Sequence, residues 1–218
     1  MALQNFIVFE GIDGAGTSTQ IECLRKRNKD GRFLFTQEPT SAPTGLFLRQ
    51  MLRGDVRVSN QTAAYLFAAD RNEHVNGSLL VRDDDRLVTG IRQAAQEGKI
   101  VVSDRYFFSS LAYQSVDADA QVARTVNSHF PLPALLFYFE ISPGISLGRI
   151  GSRGTKEIYE RMDFLSRTVD AYHRVLKEYE ARENETGMEI VHVDASLPKD
   201  EVSRIIAEKI EAYLKEPL

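Results

Sequence analysis

The stretch Asn5-Phe6-Ile7-Val8-Phe9-Glu10-Gly11-Ile12-Asp13-Gly14-Ala15-Gly16-Thr17-Ser18-Thr19-Gln20 decides how the rest of the chain is read. Asn5–Glu10 is a short apolar run suited to a buried parallel strand. Residues 19–26 continue without Gly or Pro, and Ile21 and Leu24 ahead of a basic end suit an amphipathic helix. Between them, Gly11 to Ser18 follows the phosphate-loop pattern G-x-x-x-x-G-K-[ST], except that Thr17 stands where the lysine belongs. In that pattern the glycines let backbone N–H groups curl around phosphate oxygens, the lysine reaches the outer phosphates, and the hydroxyl, here Ser18, binds Mg²⁺. The helix N-terminus adds its positive dipole end to the anion site. An ordinary strand–helix turn with chance glycines is the competing reading of this segment alone.

Working outward, apolar runs at 33–36, 100–103, 135–141 and 189–193 join the first as candidate strands. Helical patterns lie between them near 44–52, 61–76, 83–97, 108–113, 119–128, 143–150, 159–183 and 199–215. Such alternation predicts βαβ units and a parallel sheet covered on both faces, with ligands gathered at the carboxyl ends of the strands. No repeat or linker divides the 218 residues, so a single domain is expected. A net charge of −4 argues against sequence-independent binding to nucleic acid. The single cysteine, Cys23, excludes an internal disulfide, fits a reducing compartment, and is expected in the core of the first helix rather than in catalysis. No signal-like segment or long apolar run is seen, so the expectation is a cytoplasmic protein away from membranes.

Several clusters fall where a parallel sheet would present them. Glu38-Pro39 ends the second strand, and Arg49 lies on the following helix. Asp104-Arg105-Tyr106 ends the third; the acid is placed to hold Mg²⁺ and the arginine to grip a phosphate with its planar fork. A structural Asp–Arg pair is the alternative. Phe67 and Arg71 are four apart and share a helical face, where ring and guanidinium could stack on a base and donate to its carbonyl; a core Phe with an outward Arg competes with this. Ser109, Tyr113 and Gln114 add polar groups near the same cleft. Arg149 and Arg153 flank a Gly- and charge-rich loop at 151–157, read either as a lid or as a plain surface loop. Phosphoryl transfer needs alignment and positive charge more than covalent chemistry, and a closing loop could deliver both.

In this order and spacing, Phe9–Gln20, Glu38-Pro39, Leu66–Arg71, Asp104–Gln114, Tyr138–Pro143 and Arg153–Glu160 resemble the thymidylate kinase family nearly end to end. The resemblance implies a P-loop NTPase-like three-layer α/β fold with a five-stranded parallel sheet. It implies one domain over 1–218 with a lid at about 149–160, and a homodimer. The activity implied is transfer of the γ-phosphoryl group of ATP to dTMP with Mg²⁺, giving dTDP for dTTP synthesis. Gly11, Gly14, Ala15, Gly16, Thr17, Ser18 and Thr19 would cradle ATP, with Ser18 and Asp104 serving the metal. Asp13 would approach the dTMP sugar, Arg49 and Arg105 hold its phosphate, Phe67 stack on thymine and Arg71 bond its carbonyl. Tyr113 would press on the deoxyribose, Tyr159 and Glu160 approach the sugar, and Glu38, Ser109 and Gln114 complete the acceptor wall. Arg153, Asp13, Arg105 and Arg149 form the implied catalytic set, and with no basic residue at Gly14-Ala15 the chain resembles the mostly bacterial type whose arginine is in the lid.

Thr17 departs from the family, as does Ile158, where an arginine is common. Losing two cations should weaken stabilisation of transferring charge unless Lys156, Arg149 or Arg153 substitutes. A deoxynucleoside kinase and a nucleotide-binding protein without activity stay open as alternatives; the first would need a carboxylate base beside the acceptor hydroxyl.

Overall fold

The structure is a computed structural model that describes all residues except 30, 81–86, 118–119, 152–158, 160 and 216–218. Its centre is β1 (Ala2–Gly11), whose residues Phe6–Phe9 are completely buried. An uninterrupted apolar run is required because both faces of the strand are covered. The chain continues through α1 (Thr17–Arg27), β2 (Phe33–Gln37), α2 (Pro43–Leu52), α3 (Asn60–Asn76), β3 (Ser78–Leu80), β4 (Leu87–Thr89), α4 (Ile91–Gln96) and β5 (Ile100–Asp104). It finishes with α5 (Phe107–Asp117), α6 (Ala120–Asn127), β6 (Leu132–Glu140), α7 (Pro143–Ile150), α8 (Met162–Glu180), α9 (Glu183–Thr186), β7 (Glu189–Asp194) and α10 (Lys199–Leu214).

Five strands form one parallel sheet in the order β2-β5-β1-β6-β7. Helices flank it in a three-layer α/β arrangement, with α1 against α10 in one group and α5 against α8 and α3 in another. The connection leaving β1 runs to the β2 edge while that leaving the neighbouring β5 crosses β1 toward β6, and this reversal opens a crevice at their carboxyl ends. Register makes that crevice chemical. Asp104 is level with Phe9 on one side and Gln37 on the other, so the segments leaving β1, β2 and β5 emerge together.

The candidate strands all form, each within a few residues of expectation. Of the single helix expected over 83–97, residues 83–86 lie outside the described residues; Leu87–Thr89 is a strand paired antiparallel with Ser78–Leu80, and the described helix spans Ile91–Gln96. Gly90, the residue before that helix, separates the two conformations, and Val88-Thr89 carry the β-branched preference for strand. Residues 159–183 also form less helix than expected, because α8 starts at Met162 and leaves Tyr159 in the turn before it. Cys23 does lie on α1, but it is half-buried rather than in the core.

Candidate active site

The phosphate loop is shaped by two glycines in left-handed conformations, Gly14 (φ +79°) and Gly16 (φ +100°), the second immediately preceding α1. A Cβ on Gly14 would lie 2.7 Å from the Ser146 carbonyl oxygen, so α7 sits directly on the loop backbone. Ser146 Oγ donates to the Asp13 carbonyl, and Arg149 donates to the carbonyls of Gly14 (3.5 Å) and Ala195 (2.9 Å). Thr17 opens α1 and faces the crevice without the cation that the loop pattern calls for. The helix N-terminus supplies the positive field there, with no acidic residue in its first turn to oppose it.

Beside the loop, Ser18 Oγ donates to Asp104 Oδ2 at 2.5 Å. A hydroxyl and a carboxylate set together this way fit a Mg²⁺ ion, which takes one or two protein ligands and fills its shell with water and phosphate oxygens. Arg105 follows in a left-handed conformation (φ +70°), its N–H bonded to the Phe9 carbonyl at 2.8 Å. Its guanidinium donates to the Gly11 carbonyl (2.9 Å), Ser109 Oγ (3.1 Å) and Asp13 Oδ1 (2.6 Å). Tyr113 donates to Asp13 Oδ2 at 3.0 Å, accepts from the Asp13 N–H at 3.1 Å, and lays its ring under the Arg105 cation. Burial opposes the Arg105 charge, but the Tyr113, Asp13, Tyr172 and Glu10 oxygens around it outweigh that and hold it protonated well above the ordinary arginine range. Burial and the Asp13 carboxylate push the Tyr113 hydroxyl well up, so it stays a neutral donor.

The far wall is built on a buried ion pair. Arg71 is 1% exposed and bonds Glu38 from Nε (2.9 Å) and Nη2 (2.7 Å). It also donates to Asn127 Oδ1 and Ser110 Oγ, and lies over the Tyr106 and Phe130 rings. His74 bonds the second Glu38 oxygen at 2.9 Å and Thr36 Oγ1 at 2.6 Å. Asp70 ties the loop after Glu38 to α3 through the Thr40 N–H and the Thr40 and Thr44 hydroxyls. Arg49 is held by the Pro39 carbonyl.

One crevice of about 360 Å³ collects Asp13, Gly14, Gly16, Thr17, Ser18, Thr19, Glu38, Arg49, Phe67, Arg71, Asp104, Arg105, Ser109, Tyr113, Gln114 and Tyr159. Phe67 and Arg71 do share its face, so the outward-Arg alternative is wrong for this helix. Tyr159 closes one side, its ring 5.8 Å from Tyr113. Ala15 and Arg149 are not on this wall. They line a second cleft of about 240 Å³ across the loop with Gln20, Ala195, Leu197 and Lys199. Gly11 contributes its carbonyl to Arg105 and lies against Phe139, where a Cβ would be 3.0 Å from the Phe139 carbonyl. Arg153, Lys156, Ile158 and Glu160 fall outside the described residues.

Sequence reasoning missed Glu10, Ser110, Asn127, Ser146, His74 and Tyr172, which hold the wall residues from behind. Only Glu10 left a signal, as an acid inside an otherwise apolar strand.

A model of the thymidylate kinase family matches residues 9–206. The chain is 37% identical over 218 residues to a protein named "Putative thymidylate kinase" from Treponema pallidum, covering 98% of this chain and 96% of that one. It is 35% identical to a "Probable thymidylate kinase" of Pyrobaculum aerophilum (96% and 98% covered) and 31% identical to a "Thymidylate kinase" of Leptospira borgpetersenii (96% and 93%). With the glycine-rich loop, Arg49, Arg105, Phe67 and Arg71 joined in one crevice and the family match running across it, the chain belongs to the thymidylate kinase family.

Proposed function

We infer that this protein transfers the γ-phosphoryl group of ATP to dTMP, giving dTDP and ADP. The observation that carries the reading is the single crevice in which a phosphate loop faces Arg49 and Arg105, with Phe67 and Arg71 at its far wall. Two phosphate-binding elements across one cavity suit a donor triphosphate and an acceptor that already bears a phosphate.

In this reading the N–H groups of the loop and of the α1 N-terminus bind the ATP phosphates. Its adenosine falls to the second cleft, where Arg149 and Lys199 offer cationic walls. Arg49 and Arg105 grip the dTMP phosphate, and Asp13 holds Arg105 at the angle that aims it there. Phe67 stacks on thymine. Arg71 keeps one Nη1 hydrogen for a ring carbonyl, and Gln114 Oε1, buried without a partner among the described residues, accepts a ring N–H. Tyr113 fills the space beneath the deoxyribose. Ser18 and Asp104 would hold Mg²⁺, which supplies charge neutralisation between donor phosphates. The chain functions as one domain with a lid near 149–160, as a homodimer in the cytoplasm; Arg153, Glu160 and Arg149 act from that lid and its stem.

A nucleoside kinase is not favoured. It would need a carboxylate base beside the acceptor hydroxyl, and among the described residues of the crevice Asp13 is bonded to Arg105 and Tyr113, Glu38 to Arg71 and His74, and Asp104 accepts from Ser18. Coupled ADP release with Mg-ATP tests the assignment, with dTMP, dUMP, other monophosphates and thymidine as separate acceptors. Turnover with dTMP and none with thymidine is expected. Silence on every monophosphate would sink the activity, and Thr17 would then mark a binding protein.

A further inference from the structure

Glu10 is a buried charge that lines neither cleft. It is fully enclosed near the carboxyl end of β1. Burial raises its carboxyl above the usual range, partly offset by Arg105 and by hydrogen bonds from Ser109, Tyr172 and the Tyr106 N–H. Oε1 accepts the N–H groups of Tyr106 (2.8 Å) and Ser109 (3.1 Å). Oε2 accepts from Ser109 Oγ (2.6 Å) and the Tyr172 hydroxyl (2.8 Å). An enclosed carboxylate is expensive unless its oxygens are fully engaged, and these are. Its position also suits the orphan N–H groups at the start of α5, which it caps from another strand.

The residue between those bonds and β5 is Arg105, whose φ of +70° is disfavoured for any side chain. Such a conformation persists only where its surroundings over-determine it. Phe9 fixes its N–H and Ser103 Oγ its carbonyl (2.7 Å), while Glu10 fixes the next N–H and the hydroxyl on which Arg105 Nη1 rests. We propose that Glu10 is a positioning residue for the acceptor phosphate: it clamps the turn so that the Arg105 guanidinium faces Asp13 and the crevice, and it never touches substrate. Tyr172, on the helix that follows the lid segment, is the fourth member of the clamp. The proposal rests on the reading of Arg105 as a phosphate-binding residue.

The test compares Glu10→Ala, Glu10→Gln, Arg105→Ala and the Glu10→Ala/Arg105→Ala double variant, each checked for folding by thermal melting. Glu10→Ala should raise KM for dTMP roughly tenfold or more and lower kcat, since a misplacement near 1 Å can cost about 10²-fold. KM for ATP should stay within about threefold, which a general loss of structure would not spare. Glu10→Gln keeps an acceptor for both N–H groups and an amide that the two hydroxyls can accept from, so it should recover most of the loss. Against Arg105→Ala, the second substitution should add little, because both act on one interaction. Wild-type dTMP kinetics in folded Glu10→Ala, or losses that multiply in the double variant, overturn the proposal alone. Wild-type dTMP kinetics in Arg105→Ala overturn the reading of Arg105 and the proposal with it. Should Glu10→Ala not fold, Tyr172→Phe removes one donor and should raise only the dTMP KM, by a few-fold; an unchanged value overturns the clamp.

Discussion

Replacing Gly14 and Gly16 separately by alanine isolates the contact between α7 and the phosphate loop. Both glycines have positive φ, +79° and +100°, so each alanine incurs about 1–2 kcal/mol of left-handed backbone cost. Only Gly14 adds a collision. Its new methyl would lie 2.7 Å from the Ser146 carbonyl oxygen and 3.0 Å from Ile150 Cγ1, whereas Gly16 has nothing within 4 Å. Overpacking against backbone costs roughly 1–3 kcal/mol, so Gly14→Ala should lose about 2–5 kcal/mol and Gly16→Ala only the first 1–2. At this chain length each kcal/mol is worth about 2–4 °C, which puts the two melting points apart by several degrees. Relief is available if α7 lifts, but that breaks the bonds from Ser146 to Asp13 and from Arg149 to Gly14. Asp13 would then loosen against Arg105, and kcat/KM for dTMP should fall as well. The assay is thermal or urea unfolding of the ligand-free proteins, where phosphate contacts play no part. Equal losses in the two variants would refute the reasoning, because strain alone would then explain both. The same collision bars a basic side chain from position 14, so the loop cannot recover its missing cation there.

Asp104→Asn should shift the Mg²⁺ requirement upward by about tenfold in a magnesium titration, while the dTMP KM moves little. Arg71→Met leaves Glu38 buried beside His74 without its guanidinium and should cost about 3–5 kcal/mol in urea unfolding; adding Glu38→Gln should return part of it. His192 is half-exposed between Glu140 (2.8 Å) and Glu180 (2.6 Å); partial burial opposes its charge, yet the hydrogen bonds to Glu180 and Glu140 prevail and raise it above 6.5. A raised histidine stabilises fully below the unfolded value and loses that contribution as pH climbs through the folded one. The urea midpoint of wild type should therefore exceed that of His192→Gln by more at pH 6 than at pH 9, and a constant difference would count against the bridge.

The sheet was legible because its strands are covered on both faces, and a continuous apolar run such as Phe6–Phe9 permits little else. The strand Leu87–Thr89 was not, since helical spacing was read across Gly90 into residues that pair antiparallel with Ser78–Leu80. At the site, spacing alone put Phe67 and Arg71 on one face, and strand ends put Asp104, Arg105 and Glu38 at one crevice. What spacing cannot report is which groups hold these in place. Asn127 lies 56 residues from the Arg71 it bonds, Ser146 133 from the Asp13 it fixes, and Tyr172 162 from Glu10. Those separations are closed only in the fold, where α6 packs against α3, α7 sits on the loop after β1, and the Tyr172 hydroxyl of α8 reaches the end of β1.

The two halves of the crevice are built differently, and that bears on Thr17. Arg71 and Arg105, on the side proposed for the acceptor, are held by Glu38 and Asp13, so little rotamer freedom would be lost when dTMP binds. The donor side relies on backbone N–H groups and a helix dipole, fixed partial charges whose cost was met in folding. A lysine at position 17 would add a flexible cation to these fixed partial charges. Its absence removes charge from the β- and γ-phosphates but leaves the geometry that aligns donor and acceptor intact, because among the described residues Asp13, Asp104 and Arg105 are held by partners other than Thr17. The expected signature of Thr17 is therefore a weaker hold on ATP with normal dTMP affinity. Thr17→Lys should lower KM for ATP without moving KM for dTMP, and parallel movement of both would show that the two halves are not separable.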